Sequence, residues 1–264
     1  MHGASLHEQT GFTLVELIAV MVIAGILAIG STLFISQAVK GVSDTAERQQ
    51  VASIAWVVSE KVSRDLRNAL PDSVRLGSSG GSDVCLEFIP TIAGTYYLSI
   101  PFGAEGPSAE VMEFQNINAV GNNDRLAVYS RDVASNYNLN NPGAISSVIS
   151  SVSTGSTSTV NFTSDFEFQD SSPQSRAYLV TDPVAYCFIG GVLNRYQDYG
   201  FNGNFAVSNL ANPVVIATGM QSGSFEYDGS ALSKNATVSV QTRFALAGGQ
   251  TFDFDQEVQI RNVP

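Results

Sequence analysis

The chain has 264 residues, 13 Lys and Arg against 24 Asp and Glu, a net charge of −11 and 44% hydrophobic residues. That length suits one long element plus one globular body rather than two large cores. Scattered cations argue against nucleic-acid binding, which needs clustered Lys and Arg to neutralise phosphates. Two distant cysteines outside any CxxC or Cys/His cluster leave little support for zinc or thioredoxin chemistry.

From Phe12 to Val39 the sequence FTLVELIAVMVIAGILAIGSTLFISQAV carries one ionisable side chain, Glu16. At about 1.5 Å per residue this block spans a hydrocarbon core of about 30 Å, so it reads as a membrane helix. An ordinary signal anchor or an uncleaved secretory signal has the same hydropathy. Three details distinguish this segment. A secretory signal places its small residues after the apolar run, whereas Gly11 stands before it, and cutting there keeps the helix. A carboxylate in a membrane segment is costly and needs a partner or a purpose; snorkelling of Glu16 to the interface is the plainer alternative. Ala19, Ala24, Gly25, Ala28 and Gly30 allow close helix packing, although small residues are also common in membrane helices.

The string Gly11-Phe12-Thr13-Leu14-Val15-Glu16 resembles the prepilin peptidase site of type IV pilins and type II secretion pseudopilins. The resemblance implies cleavage between Gly11 and Phe12, loss of the leader at 1–11, N-methylation of Phe12, and Glu16 at the fifth mature position. A physical rationale exists beside it. Cleavage creates an amine at Phe12, and a buried charge is tolerated only when paired and hydrogen-bonded. A carboxylate one helical turn along can meet the amine of an axially shifted neighbour, setting register more than strength. Two features depart from the family pattern. The leader MHGASLHEQTG has no Lys or Arg, and Leu33 stands where pilin helices commonly carry proline, so any kink would come from Gly25 or Gly30.

Beyond the apolar block, Val51, Ile54, Ala55, Val58, Val62, Leu66, Ala69 and Leu70 recur at helical spacing. The spacing predicts one helix from Phe12 to Leu70, membrane-spanning over 12–39 and amphipathic over 40–70, stopped by Pro71. Arg48, Lys61, Arg64 and Arg67 read as its solvated face. The segment 71–264 then reads as a strand-rich head. Strands are expected at Val84–Ile92, Thr95–Ile100, Arg125–Ser130, Ala177–Val180, Val184–Ile189, Ser222–Tyr227, Ala236–Leu246 and Gln250–Ile260, the last two forming a hairpin across Ala247-Gly248-Gly249. Ser146–Thr159 reads as a mobile surface loop. The fold class is therefore α+β, a long N-terminal helix packed on an antiparallel head.

Ser63–Val74 and Cys85–Phe88 are similar to the O-type minor pilin of the MSHA (mannose-sensitive haemagglutinin) pilus system, with W-type minor pilins and J-type minor pseudopilins as broader relatives. This second resemblance implies a low-copy subunit that primes or caps a filament near its tip. Its partners would be other major and minor pilins, the prepilin peptidase and an inner-membrane assembly platform. Before assembly it would sit in the inner membrane as a single-pass protein with a periplasmic head. The alternatives are a type II secretion minor pseudopilin and a membrane-anchored binding or adhesin domain that never polymerises.

Catalytic constellations are not evident. The two histidines, His2 and His7, fall in the leader, so neither a Ser-His-Asp nor a Cys-His mechanism is expected. Asp253 and Asp255 share one face of a strand and read as a solvated edge. Asn122, Asn123 and Asp124 offer oxygen ligands for calcium but lack EF-hand spacing; no cofactor is expected. Asn161-Phe162-Thr163 and Asn235-Ala236-Thr237 match the glycosylation pattern by chance if the chain is bacterial. Cys85 and Cys187 read either as a disulfide joining an early and a late strand, favoured by export, or as two buried thiols.

Overall fold

The computed structural model describes residues 11–79, 83–114, 121–153, 155–229 and 236–260. His2, His7 and Asn235 lie outside the described residues. The chain divides into two compact units, Met1–Gln50 and Val51–Pro264.

Helix α1 runs from Leu14 to Arg67, 54 residues. Its buried residues are Ala55, Val58, Ser59, Val62, Ser63 and Leu66, all in the second unit. Three hydroxyls along the helix bond back to its own carbonyls. Ser31 donates to the Leu27 carbonyl at 2.7 Å, Thr32 to that of Ala28 at 3.0 Å and Thr45 to that of Gly41 at 2.8 Å. The helix ends three residues before Leu70, the end expected from the periodicity. Ala69 forms an isolated bridge to Pro90, and the Leu70 amide donates to the Ile89 carbonyl at 2.8 Å, so a carbonyl from a later segment takes the donor that another helical turn would use.

The remaining elements, in chain order, are β1 (Arg75–Ser79), β2 (Asp83–Phe88), β3 (Thr91–Ser99), β4 (Gly106–Met112), β5 (Arg125–Ala127), α2 (Val133–Asn138), β6 (Ile145–Val152), β7 (Thr157–Phe166), β8 (Arg176–Val180), β9 (Val184–Ile189), β10 (Val192–Tyr196), β11 (Val214–Ala217), β12 (Met220–Asp228), β13 (Ala236–Ala245) and β14 (Thr251–Ile260). They form a five-stranded sheet in the order β1-β2-β9-β10-β11, a three-stranded sheet β12-β13-β14, and a closed barrel β3-β4-β7-β6-β5-β8. Every strand of the barrel lies in sequence between β2 and β9, which are neighbours in the five-stranded sheet. The barrel is therefore a module inserted into that sheet.

Two cores follow from this arrangement. In the first, the α1 stripe packs with Leu86, Phe88, Tyr186, Phe188 and Leu193 of the five-stranded sheet and with Phe225, Val238, Val240, Phe244 and Val258 of the three-stranded sheet. In the second, Val111, Leu126, Val160, Phe162, Phe166 and Phe168 fill the barrel. A smaller cluster of Leu70, Ile89, Ala127, Tyr137, Ile145 and Val180 lies where the barrel meets the end of the helix. There Tyr137 donates to the Ser73 carbonyl at 2.8 Å and Asn136 to that of Asp72 at 2.9 Å.

The expected loop at Ser146–Thr159 is instead most of β6 and the start of β7. Its serines mask the strand pattern, because two of them are buried and bonded or packed rather than solvated. Ser146 accepts the Leu126 amide at 2.9 Å and donates to the Ser147 carbonyl at 2.7 Å, while Ser158 is also buried. Strands β1, β4, β10 and β11 were likewise not expected from the sequence, and the expected strand Val84–Ile92 breaks at Ile89-Pro90. The β13–β14 hairpin does form across Ala247–Gly249. Gly248 and Gly249 take φ of 74° and 76°, and the Leu246 amide donates to the Gln250 carbonyl at 2.8 Å.

Cys85 and Cys187 are register partners on β2 and β9 and are joined in a disulfide with Cα atoms 4.1 Å apart. The bridge closes a segment of 102 residues that contains the whole barrel. Loop entropy makes such a closure worth about 4–5 kcal/mol. Cys85→Ser with Cys187→Ser should lower the denaturation midpoint of the full chain in detergent, and reductant should then have no further effect. An unchanged midpoint would show that the bridge does not constrain the unfolded chain.

Candidate functional site

The residues singled out at the N-terminus converge on one helix start. Gly11, Phe12 and Thr13 precede α1, and Glu16 lies in its first turn. Phe12 is 81% exposed and Leu14 and Val15 are almost as open, so among the described residues nothing covers this helix start. Thr13 is a further member that sequence reading missed. Its Oγ1 accepts the Glu16 amide at 3.3 Å, satisfying one of the donors that a helix start leaves free. The signal was present as Thr13-x-x-Glu16, the pattern of a capping box. Glu16 thus sits where the positive end of the helix dipole favours a negative side chain. From Leu14 onward the helix is long and apolar enough to cross a membrane, and none of its most apolar window is buried. A Cβ added at Gly25, Gly30 or Gly41 would meet open space, so nothing among the described residues requires glycine there.

Polar side chains in the second unit hold the helix to the head. Asp65 on α1 accepts the Tyr186 hydroxyl of β9 at 2.6 Å and Arg195 Nε of β10 at 3.2 Å, while Lys61 Nζ lies 3.0 Å from its other oxygen. Lys61 and Arg64, expected simply to face solvent, therefore engage i,i+4 partners, Arg64 pairing with Glu60 at 3.0 Å. Burial pushes the Asp65 carboxyl up, but the Tyr186 and Lys61 hydrogen bonds and the charges of Lys61 and Arg195 outweigh it and hold it below its ordinary value.

A second polar group is more deeply set. Arg75 and Glu87 are register partners on β1 and β2, and Glu87 is almost wholly buried. Arg75 pairs with Glu87, donates to the carbonyls of Asn202 at 2.7 Å and Gly203 at 3.0 Å, and places its guanidinium 3.5 Å from the Tyr137 ring centroid. Tyr199 donates to Glu87 at 2.8 Å. Burial raises the Glu87 carboxyl above its ordinary value against the pull of Arg75 and Tyr199. These bonds tie the loop that carries Tyr199, Asn202 and Gly203 to the sheet.

The remaining sequence candidates are separate from both groups. Asp253 and Asp255 are exposed on β14, with Asp253 paired to Arg243. Asp124 accepts the Gly121 amide at 2.6 Å, and Asn123 donates to Asp182 at 2.8 Å. Among the described residues no group of three or more His, Cys, Asp or Glu is placed to hold a metal ion.

A capped, membrane-length helix that continues into an antiparallel head defines a helix-anchored α+β subunit. The prokaryotic N-terminal methylation motif matches residues 6–32, which supports a type IV pilin-like or pseudopilin precursor and a structural subunit rather than an enzyme. No curated protein matches the chain, and no solved structure does.

Because the Asp65 carboxyl is held below its unfolded value, its stabilising effect is complete above about pH 4 and is lost as pH falls through the folded value. Asp65→Asn should cost about 1.5–3 kcal/mol at neutral pH, the range for hydrogen bonds to a charged group. The gap between variant and parent should narrow below about pH 4. Denaturant unfolding at a series of pH values checks this, and a gap independent of pH would refute it.

Proposed function

We propose that the chain is a minor type IV pilin-like subunit of an MSHA-type system, cleaved by prepilin peptidase between Gly11 and Phe12 and methylated on Phe12. The observation that carries the reading is the methylation motif opening a helix whose apolar half is exposed throughout. In water that surface would be costly. Among lipids and other pilin helices it is at home, and Gly25 and Gly30 permit close approach.

Glu16 sets register by meeting the Phe12 amine of an axially shifted neighbour. Its place in the first turn of α1 puts it one helical turn from Phe12, within reach of such a neighbour. Before assembly the protein is a single-pass inner-membrane subunit with a periplasmic head, a compartment in which the Cys85–Cys187 bridge is expected to persist. The inserted barrel makes the head bulky for a repeating subunit, which supports a low-copy place at or near the tip. Platform proteins and other major and minor pilins are its partners, and the work is structural. A type II secretion minor pseudopilin shares the same N-terminal chemistry and differs in the apparatus it serves.

Mass spectrometry of the mature N-terminus should find Met1–Gly11 removed and Phe12 methylated only in cells that have the peptidase. Glu16→Ala should still be processed but should leave the filament fraction. An intact leader in both strains, or a Glu16→Ala protein that assembles normally, would refute the proposal.

A further inference from the structure

The three-stranded sheet ends on an open strand. β14 pairs with β13 over ten consecutive residues without a register shift, and among the described residues nothing pairs with its other side. Native edges are commonly blunted by charged side chains, above all lysine, and by proline, bulges or shortness. β14 has ten residues and no proline, glycine or lysine, and its charges are all acids, Asp253, Asp255 and Glu257, which discourage an acidic strand but not a basic one. Its unpaired backbone groups form a row that an added strand can satisfy.

The side chains state what kind of strand would fit. Asp253, Asp255 and Glu257 alternate on the exposed face, while Phe252 and Phe254 point the other way and are only partly covered by the core. Arg243 of β13 neutralises Asp253, with Nε–Oδ1 at 2.5 Å and a second contact at 3.2 Å. Asp255 faces Gln241 across the pair and Glu257 faces Ser239, so neither acid has a basic cross-strand neighbour. Beside the acids the sheet forms a groove of about 460 Å³ whose lining includes Ser222, Ser224, Gln241, Arg243 and Phe254.

A second copy of the same edge is a poor occupant. Antiparallel pairing of β14 with itself would set acid against acid, and like charges directly opposite destabilise a ladder. A basic strand meets the reverse situation. We propose that the free edge of β14 is a docking strand for an extended segment of another protein in which basic residues alternate with apolar ones. The basic side chains lie beside Asp255 and Glu257, and the apolar ones extend the cover over Phe252 and Phe254. This inference concerns the head alone and stands whether or not the chain enters a filament.

The test uses the full-length protein in detergent and end-blocked ten-residue peptides. One peptide alternates Lys with Val; a second alternates Glu with Val; a third is the Lys–Val peptide N-methylated along its central six residues, which keeps its charge but removes backbone donors. Binding is read by calorimetry and by hydrogen exchange of the β14 amides. The Lys–Val peptide should bind and protect β14, and the other two should not. Asp255→Lys with Glu257→Lys should weaken binding about tenfold or more, because two favourable cross-strand pairs become repulsive. Glu110→Lys on the barrel should leave binding unchanged. Should the double reversal fail to fold by circular dichroism, Asp255→Asn with Glu257→Gln takes its place with a smaller loss expected. Equal binding by the N-methylated peptide, indifference to the edge substitutions, or no binding of the Lys–Val peptide would each overturn the proposal.

Discussion

One apolar stripe on α1 organises the head. Ala55, Val58, Val62 and Leu66 recur every three or four residues and are fully or almost fully buried. The two open sheets contribute to the core around that stripe. A helix with so narrow a buried face is held mainly by tertiary packing. Asp65 adds direction to that packing: it sits beside the stripe and bonds to β9 and β10, while Ser59 bonds to Gln256 on β14. The same helix supplies the membrane-length segment and one wall of the core, so loss of the stripe would affect the head as a whole.

The inserted barrel depends on the sheet that carries it. Its two ends join β2 and β9, adjacent strands bonded through Cys85 and Cys187, and thus enter and leave at one place. A closed barrel leaves no strand edges of its own. Tyr137 and Asn136 of α2 anchor its side to the turn that follows α1, and Arg75 stacks on Tyr137 while pairing with Glu87. Leaving one member of that buried pair without its partner would be costly, whereas replacing both by apolar groups need not be. With the barrel closed, the open edges among the described residues are left to the two sheets, that of β14 among them.

Much of this organisation was legible in the sequence because it rests on long, regular patterns. The apolar run from Phe12, the three- and four-residue spacing through Leu66, and the Gly248-Gly249 turn each have a local physical cause, and each appears in the structure. The barrel was harder to read. β6 and β7 are rich in serine, and buried Ser146 serves a neighbouring backbone amide instead of water, so composition suggested a loop where pairing makes strands. The helix end was misplaced by three residues because the competing acceptor for Leu70, the Ile89 carbonyl, comes from a distant segment. At the N-terminus, Thr13-x-x-Glu16 is both a helix-start pattern and an acid in an apolar run, and the second feature masks the first.

Native-state hydrogen exchange tests the organising role of the stripe most directly. The amides of Ala55, Val58, Val62 and Leu66 should exchange only with global unfolding of the head, at the same free energy and denaturant dependence as the central strands β9 and β13. Exchange of those helix amides at markedly lower free energy, while β9 and β13 remain protected, would mean that the sheets hold together without the helix and would contradict the account.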